Sequence, residues 1–240
     1  MKGIILSGGK GTRLRPLTHV TSKQLLPVYD RPMIYYPLQT LLDAGIKEIF
    51  IISSPEHAGQ YLHLLGSGKK FNAKFTYEIQ DEPLGLAHGL SLAESFADRE
   101  PCAFILGDNI FEDKVYEGIR SFNGHGAKIF VKEVPDPERF GVVEFDRDQK
   151  VISLEEKPQK PKGHYAQTGL YVYDKSVFDH IRTIKPSARG ELEITDLHKV
   201  YLQRGELSTE IIKGEWIDAG TFDSLLRASN FMANKSKQEK

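Results

Sequence analysis

The chain opens with Met1-Lys2-Gly3-Ile4-Ile5-Leu6-Ser7-Gly8-Gly9-Lys10-Gly11-Thr12-Arg13, an apolar run that passes directly into glycines. The run Gly3 to Leu6 is typical of a buried strand that feeds a loop. Three glycines let backbone N–H groups approach an anion without a Cβ in the way. Arg13 adds a planar fork of donors that suits phosphate oxygens. The opening therefore predicts a strand followed by a phosphate-binding loop.

Two common phosphate loops do not fit this stretch. A Walker A loop needs Ser or Thr after Gly-Lys, whereas Gly9-Lys10 is followed by Gly11, and the upstream glycine position holds Ile4. A dinucleotide fingerprint needs a third glycine at the position of Leu14. A P-loop ATPase and an NAD enzyme are therefore disfavoured, while a plain strand-to-helix turn stays open as the alternative.

The first half of the chain alternates between strand-like and helix-like segments. The predicted strands are Ile49–Ile52, Phe75–Ile79 and Cys102–Leu106, and the predicted helices are Pro32–Ala44 and His88–Phe96. This alternation favours an α/β fold with a mostly parallel central sheet, flanked by helices.

The second half has strands without long helices between them, which predicts a mixed or antiparallel extension of the sheet. The predicted strands are Lys128–Glu133, Gly141–Phe145, Val151–Glu155 and Gly169–Tyr173, and the predicted helices are Ser176–Ile181, Thr195–Gln203 and Asp223–Ala233. We expect the polar end of the chain, Asn234 to Lys240, to be frayed.

Composition bounds the class of protein. The 240 residues are 40% hydrophobic and 27% charged, with a net charge of −1, which is typical of a soluble globular protein. The charge gives no global attraction to nucleic acid or to an anionic membrane, and no stretch approaches the ~20 apolar residues of a membrane span. The single cysteine, Cys102, favours a reducing compartment, so we expect a cytoplasmic protein.

Two aspartates follow apolar runs. Asp108 comes directly after the predicted strand Cys102–Leu106 and Gly107, and Asp218 follows Trp216-Ile217. Ligands gather at the carboxyl ends of parallel strands, and two carboxylates without a histidine partner suit Mg²⁺ better than Zn²⁺. Each aspartate, taken alone, is equally compatible with a turn residue or a helix cap.

Longer motifs carry a resemblance that covers almost the whole chain. They are Gly8–Pro16, Ser22–Val28, Pro32–Leu38, Leu106–Asn109, Asp136–Val143, Glu155–Pro158 and Arg189–Asp196. In this order they resemble the sugar nucleotidyltransferases, most closely the short form of the glucose-1-phosphate thymidylyltransferases. The resemblance implies a Rossmann-like nucleotidyltransferase fold in one domain over 1–240. A nucleotide-binding half would span about 1–110, and a sugar-phosphate-binding half about 111–233.

The resemblance also implies a reaction. The enzyme would transfer a thymidylyl group from dTTP to α-D-glucose 1-phosphate, giving dTDP-glucose and pyrophosphate, by Mg²⁺-assisted in-line attack on the α-phosphorus. Such a product would feed dTDP-rhamnose and polysaccharide biosynthesis. Two anions must meet, so cations and Mg²⁺ would stabilise the charge that develops.

The same resemblance implies roles for particular residues. The catalytic residues would be Arg13, Lys23, Lys157 and Asp108, and the metal ligands Asp108 and Asp218. The nucleotide would be bound by Leu6, Gly8, Gly9, Gly11, Thr12, Arg13, Lys23, Gln24, Gln80, Gly85 and Asp108. The sugar phosphate would be bound by Asn109, Gly141, Glu156, Lys157, Gln167, Tyr171 and Arg189.

The sequence leaves several alternatives open. The same chemistry could use UTP or another sugar 1-phosphate, and a catalytically silent sugar-nucleotide sensor is a third possibility. Two positions depart from the family's usual residues, Ala219 for threonine and Gln167 for valine, and Gln167 bears on the choice of sugar. We expect a homo-oligomer and leave open an effector site of the kind that longer relatives carry.

Overall fold

The computed structural model of the chain describes residues 1–238, with side chains described to residue 237. The strands are β1 (Lys2–Ser7), β2 (Pro27–Val28), β3 (Arg31–Pro32), β4 (Glu48–Ser53), β5 (Lys74–Ile79), β6 (Cys102–Leu106), β7 (Asn109–Phe111), β8 (Ala127–Glu133), β9 (Gly141–Phe145), β10 (Val151–Glu156), β11 (Tyr165–Tyr173), β12 (Leu207–Ile211) and β13 (Trp216–Asp218). The helices are α1 (Tyr35–Asp43), α2 (Ala58–Leu65), α3 (Leu86–Ser91), α4 (Glu94–Ala97), α5 (Tyr116–Arg120), α6 (Val177–Ile181), α7 (Ile194–Gln203) and α8 (Phe222–Gln238).

A nine-stranded sheet forms the centre of the molecule, in the order β10-β9-β11-β6-β1-β4-β5, with β8 beside β11 and β12 beside β8. Strands β6, β1, β4 and β5 run parallel, whereas β11 is antiparallel to β6, β8 and β9. This arrangement confirms the predicted α/β class, with its parallel first half and mixed second half. Leu6 pairs with both Ile52 and Leu106, so the loops after β1, β4 and β6 leave the sheet at one edge.

The central strands are buried on both faces. Ile4 and Phe104 belong to one apolar core, while Ile5 and Ile105 belong to a second core on the opposite face. Successive side chains of a strand point to opposite faces, which is why a continuous apolar run is needed here. Each such side chain contributes roughly 1.5–3 kcal/mol through burial. The sheet is therefore a rigid base for the loops at its edge.

A small antiparallel sheet, β7 with β13, places the second aspartate. Asp218 pairs with Asn109 in this sheet, and the Ala219 N–H donates to the Asp108 carbonyl at 3.0 Å. The pairing brings together two segments that lie more than a hundred residues apart in sequence.

Two helix predictions need correction. The predicted helix His88–Phe96 is divided into α3 and α4, because the N–H groups of Leu92 and Ala93 bond three residues back, in tight turns rather than α-helical ones. The closing helix continues to Gln238, so the frayed end predicted from Asn234 is wrong as far as residue 238. The last two residues of the segment predicted to be frayed, 239 and 240, lie outside the described residues.

Several elements were missed: the helices α2 and α5, the strand β12 that extends the sheet beside β8, and the short strands β2, β3, β7 and β13. Among the helices within residues 1–238, none combines the length and the apolarity needed to cross a membrane.

Candidate active site

The glycine-rich loop turns sharply after β1. Gly9 and Gly11 have φ angles of 112° and 55°, which side chains with a Cβ rarely adopt. The Gly11 carbonyl accepts a 2.7 Å hydrogen bond from Thr18, and a Cβ on Gly11 would lie 2.9 Å from the Thr18 methyl group. Leu14 is fully buried and anchors the turn, while the preceding residue, Arg13, is exposed. The loop is thus fixed in shape and exposes the Arg13 side chain.

Lys23 and Asp108 form a largely buried ion pair between Nζ and Oδ2. Burial alone would raise the pKa of Asp108, but the charge and hydrogen bond of Lys23 outweigh it and hold this pKa below its ordinary value. Burial opposes the charge of Lys23 as well, yet Asp108 and Asp218 together raise the pKa of Lys23. Both groups are therefore charged at neutral pH.

Asp218 lies beside this pair, where the charges of Lys23, Arg13 and Arg139 also act on it. Among the described residues, none offers a hydrogen bond to its buried Oδ1 atom. Burial first, and then the charge of Asp108, raise the pKa of Asp218 to about 6. Carboxylates in such surroundings are costly unless a cation neutralises them.

Asn109 holds Asp108 in place. Its Oδ1 accepts hydrogen bonds from the Gly169 N–H at 2.8 Å and from the Trp216 indole at 2.6 Å, and its Nδ2 donates to Asp108 Oδ1 at 3.1 Å. The side chain is 1% exposed. Asn109 lines the cavity as predicted for a sugar-binding residue, but its amide oxygen is already engaged, so its evident contribution is to orient Asp108.

A cavity of about 600 Å³ brings the predicted sugar-side residues together. Its walls include all seven of them, namely Asn109, Gly141, Glu156, Lys157, Gln167, Tyr171 and Arg189. Thr12, Arg13 and Asp218 also line it. Residues from the glycine loop, β7, β9, β10, β11 and β13 thus meet around one space.

Positive and negative groups alternate along that cavity. Glu156 Oε1 lies 3.5 Å from Lys157 Nζ and 3.6 Å from Arg189 Nη2. Arg189 also makes a bidentate contact with Glu193, whose two oxygens both lie 2.9 Å from Nη2. Burial opposes the charge of Arg189, but Glu193 outweighs it and raises the Arg189 pKa. In this structure the arginine is paired with carboxylates.

A second cavity, of about 440 Å³, lies on the other side of the glycine loop. Gly9 and Gln80 are the predicted nucleotide-binding residues on its walls. Gln80 is 7% exposed, and its Nε2 lies 3.0 Å from the Nδ1 atom of His88. A polar side chain with this degree of burial is held in one orientation.

Other predicted nucleotide-binding residues are not on the walls of either cavity. They are Leu6, Gly8, Gly11, Lys23, Gln24, Gly85 and Asp108. Gln24 is buried, and its Oε1 accepts hydrogen bonds from Ser22 at 2.7 Å and Tyr61 at 3.3 Å. Gly85 has φ 106°, and a Cβ there would lie 2.4 Å from the Leu192 carbonyl oxygen. In the structure Gln24 and Gly85 contact neighbouring protein groups, and their roles toward a nucleotide stay predictions.

The family of the chain follows from comparison with known proteins. Residues 2–235 match the family model described as nucleotidyl transferase. The chain belongs to the nucleotidyl transferase family. The family predicted from the sequence motifs is thereby confirmed.

Curated relatives agree along nearly the whole chain. A glucose-1-phosphate thymidylyltransferase of Mycolicibacterium smegmatis is 50% identical over 236 residues, covering 97% of this nucleotidyl transferase and 82% of that protein. One from Neisseria meningitidis is 48% identical over 237 residues, with the same shares of 97% and 82%.

Solved structures share the fold. A Bacillus anthracis protein whose crystal structure contains sucrose has a TM-score of 0.92 and 49% identity, over 96% of this chain and 94% of that one. A UDP-glucose pyrophosphorylase complexed with UDP-glucose has a TM-score of 0.85 and 25% identity over 98% of each chain.

The residues of this nucleotidyl transferase fit a divalent cation of the Mg²⁺ type. Among residues 1–238, no group of three or more His, Cys, Asp or Glu side chains could hold a metal. Mg²⁺ needs only one or two carboxylates, because it keeps several waters and shares substrate phosphates. The unpartnered Oδ1 of Asp218, beside the ionised Asp108, supplies such a donor set.

Sequence reasoning missed several residues on the cavity walls. Arg139, Phe140, Thr195 and Trp216 line the sugar-side cavity, and Lys10, Arg15 and His19 line the other. Phe140 and Trp216 pack with their ring centres 5.1 Å apart. Arg139 lies within the motif Asp136–Val143 and Thr195 within the motif Arg189–Asp196, and these motifs could have indicated both residues.

Proposed function

We propose that this nucleotidyl transferase joins dTTP and α-D-glucose 1-phosphate to give dTDP-glucose and pyrophosphate. The observation that carries the proposal is one cavity whose walls include three cationic side chains, Arg13, Lys157 and Arg189, together with the carboxylate of Asp218. Two phosphate-bearing substrates repel each other, so a site that joins them needs cations on more than one side. The names of the curated relatives, at 48% to 50% identity, support the choice of dTTP and glucose 1-phosphate.

The reaction is a displacement at phosphorus. A phosphate oxygen of the sugar phosphate attacks the α-phosphorus of dTTP, a new P–O bond forms, and the bond between the α-phosphorus and the α–β bridging oxygen breaks. That bridging oxygen leaves with pyrophosphate. The attacking oxygen is already anionic, so no general base is needed, and catalysis rests on positioning and charge stabilisation.

We assign parts of this task to residues of the chain. Arg13 binds the leaving phosphates, since it is exposed on a rigid loop. Lys157 and Arg189, which line the same cavity, bind the sugar phosphate. Lys23 keeps Asp108 ionised through their ion pair and adds positive charge beside the phosphates.

Mg²⁺ would be held by Asp108 and Asp218 together with phosphate oxygens. When bound, it would neutralise charge on the triphosphate. Asn109 contributes by fixing the orientation of Asp108. Gln80 and Gly9 line a pocket on the proposed nucleotide side.

A panel of substrates tests this proposal. Pyrophosphate release would be measured with dTTP, UTP, CTP and GTP, each paired with glucose 1-phosphate, galactose 1-phosphate and mannose 1-phosphate, in the presence of Mg²⁺. We expect dTTP with glucose 1-phosphate to give the highest kcat/KM. If dTTP is among the poor substrates, the thymidylyl assignment is wrong.

The same chemistry with UTP is the second candidate, because the UDP-glucose pyrophosphorylase shares the fold over 98% of the chain. The panel separates the two directly. A catalytically silent sensor is disfavoured, since the loop arginine and both aspartates are present. We also propose that the enzyme is cytoplasmic. We further propose that it forms a homo-oligomer, and light scattering on the purified protein would measure its oligomeric state.

A further inference from the structure

A continuous chain of side-chain hydrogen bonds runs from the core of the molecule to the sugar-side cavity. The Tyr173 hydroxyl lies 2.6 Å from His198 Nε2, and His198 Nδ1 contacts Gln167 Oε1. Gln167 Nε2 donates to the Thr195 hydroxyl at 3.0 Å, and that hydroxyl donates to Glu156 Oε2 at 2.6 Å. These five residues come from β10, β11 and α7, and they end on the carboxylate that faces the sugar pocket.

The charge of Glu156 fixes the direction of every bond in this chain. An ionised carboxylate only accepts, so Thr195 must give it the one proton of its hydroxyl. Thr195 then accepts from Gln167, whose amide can donate only through Nε2, which leaves Oε1 to face His198. His198 consequently carries its proton on Nδ1 and accepts the Tyr173 proton at Nε2. All donors and acceptors along the path are matched.

The chain is enclosed by protein. Tyr173, His198 and Thr195 are 0% exposed, and Gln167 is 5% exposed. A Cβ on Gly141 would lie 2.4 Å from Gln167 Nε2 and 2.7 Å from Thr195 Oγ1, so the absence of a side chain on β9 makes room for the chain. Buried polar networks with every member satisfied hold a single arrangement. Gly141 therefore contributes to the pocket through the neighbours that it accommodates.

The two carboxylate oxygens of Glu156 contact different partners. Oε2 is taken by Thr195, whereas Oε1 faces Lys157 and Arg189 at 3.5 Å and 3.6 Å, on the side where the proposed sugar phosphate is held. A carboxylate that is free to rotate could accept hydroxyls in several positions. Held by one oxygen, it presents the other in a single direction.

We propose that Thr195 and Gln167 are positioning residues that determine sugar selectivity by fixing the Glu156 carboxylate. The enzyme then selects a hexose 1-phosphate that bears a hydroxyl where Glu156 Oε1 points, and rejects the deoxy analogue at that position. This inference rests on the proposed function and goes beyond it. It gives Gln167 a task inside the protein, rather than a direct contact with the sugar.

The matched variants Thr195→Val and Thr195→Ser test the proposal. Valine keeps the shape of threonine and loses the hydroxyl, whereas serine keeps the hydroxyl. Steady-state kinetics would be measured with dTTP and with glucose 1-phosphate or its 2-, 3-, 4- and 6-deoxy analogues. Loss of a hydrogen bond to a charged group should lower kcat/KM for glucose 1-phosphate about tenfold or more in Thr195→Val.

Selectivity distinguishes a positioning role from a merely structural one. In Thr195→Val we expect the preference for glucose 1-phosphate over the most rejected deoxy analogue to fall about tenfold, while the KM for dTTP changes by less than about twofold. Thr195→Ser should keep the preference of the wild type. If Thr195→Val does not fold, Gln167→Met, which keeps the side-chain length without the amide, is judged by the same criteria.

Failure of this inference and failure of the proposed function give different experimental results. The inference is overturned if the folded variant without its hydrogen bond discriminates among the sugars as the wild type does. It is equally overturned if the variant loses activity on every analogue in the same proportion. The proposed function itself fails if the wild type forms no nucleotide sugar from dTTP and glucose 1-phosphate.

Discussion

Arg13 and Lys23 bring positive charge to the same side of the site, but their surroundings differ. Arg13 is exposed on the glycine loop, whereas Lys23 is largely buried against Asp108. Sequence motifs indicated both residues. They could not show that Lys23 is bound to a carboxylate, because the pairing depends on a contact between residues 85 positions apart. Substitution of Arg13 and substitution of Lys23 should therefore have different effects on the stability of the protein.

We expect Arg13→Ala and Lys23→Ala each to lower kcat by roughly 10²–10³, by analogy with the loss of one preorganised donor. Only Lys23→Ala should also lower stability, by roughly 3–5 kcal/mol, because it leaves a buried carboxylate unpaired. Pyrophosphate release and urea unfolding would measure the two effects. Near-normal turnover of both variants at saturating substrate would contradict the phosphate-binding role.

Substitution of Asp218 should lower activity without lowering the stability of the metal-free protein. Its buried Oδ1 atom has no partner among the described residues. Asp218→Asn removes a buried charge, so without metal the variant should unfold at the same or a higher urea concentration than the wild type. The same variant should lose most activity and most of the stabilisation that Mg²⁺ with dTTP gives the wild type. A variant that is less stable without metal, yet active, would show that Asp218 is structural.

Helix α7 carries a pH-sensitive residue into the core. Burial lowers the pKa of His198 to about 3, from an ordinary value near 6.5. Below pH 6.5 the unfolded chain takes up a proton that the folded protein does not, so stability is lost as pH falls from 6.5 towards 3. The slope is about 1.4 kcal/mol per pH unit for one such group.

Urea unfolding at pH 7 and pH 5 would measure this effect. His198→Gln keeps a polar side chain but cannot titrate, so it serves as the control. We expect the wild type to lose about 2 kcal/mol more than His198→Gln between these pH values. If the two proteins lose the same stability, His198 is protonated in the fold or is not buried as described.

Strong apolar runs made most elements predictable, and weak ones did not. Strand β1 has Ile4 and Ile5 at 0% exposure, and such buried strands leave a clear pattern in the sequence. Strand β12 is only partly buried, so it lacks that signal. Helix α2 buries Tyr61 and Leu65, four residues apart, but Gly59 interrupts the pattern. The break between α3 and α4 depends on local turns that no periodicity reveals.

The sheet joins the two halves of the molecule at β6, which pairs with β1 on one side and with β11 on the other. Residues of the first half that are predicted to bind phosphate and sugar-side residues of the second half therefore meet at one edge. Motifs could predict both groups of residues. The hydrogen-bond chain through Gln167 and Thr195 could not be predicted, because it requires β10, β11 and α7 to come together in space.

For the molecule as a whole, we propose that two phosphate-bearing substrates meet in one site and that the sugar phosphate is the attacking group. Isotope tracing tests this most directly. The enzyme would be given dTTP, Mg²⁺ and glucose 1-phosphate with ¹⁸O in all four phosphate oxygens, and the products would be weighed by mass spectrometry. We expect dTDP-glucose that retains all of the label, together with unlabelled pyrophosphate. Label in the pyrophosphate, or no dTDP-glucose at all, would contradict it.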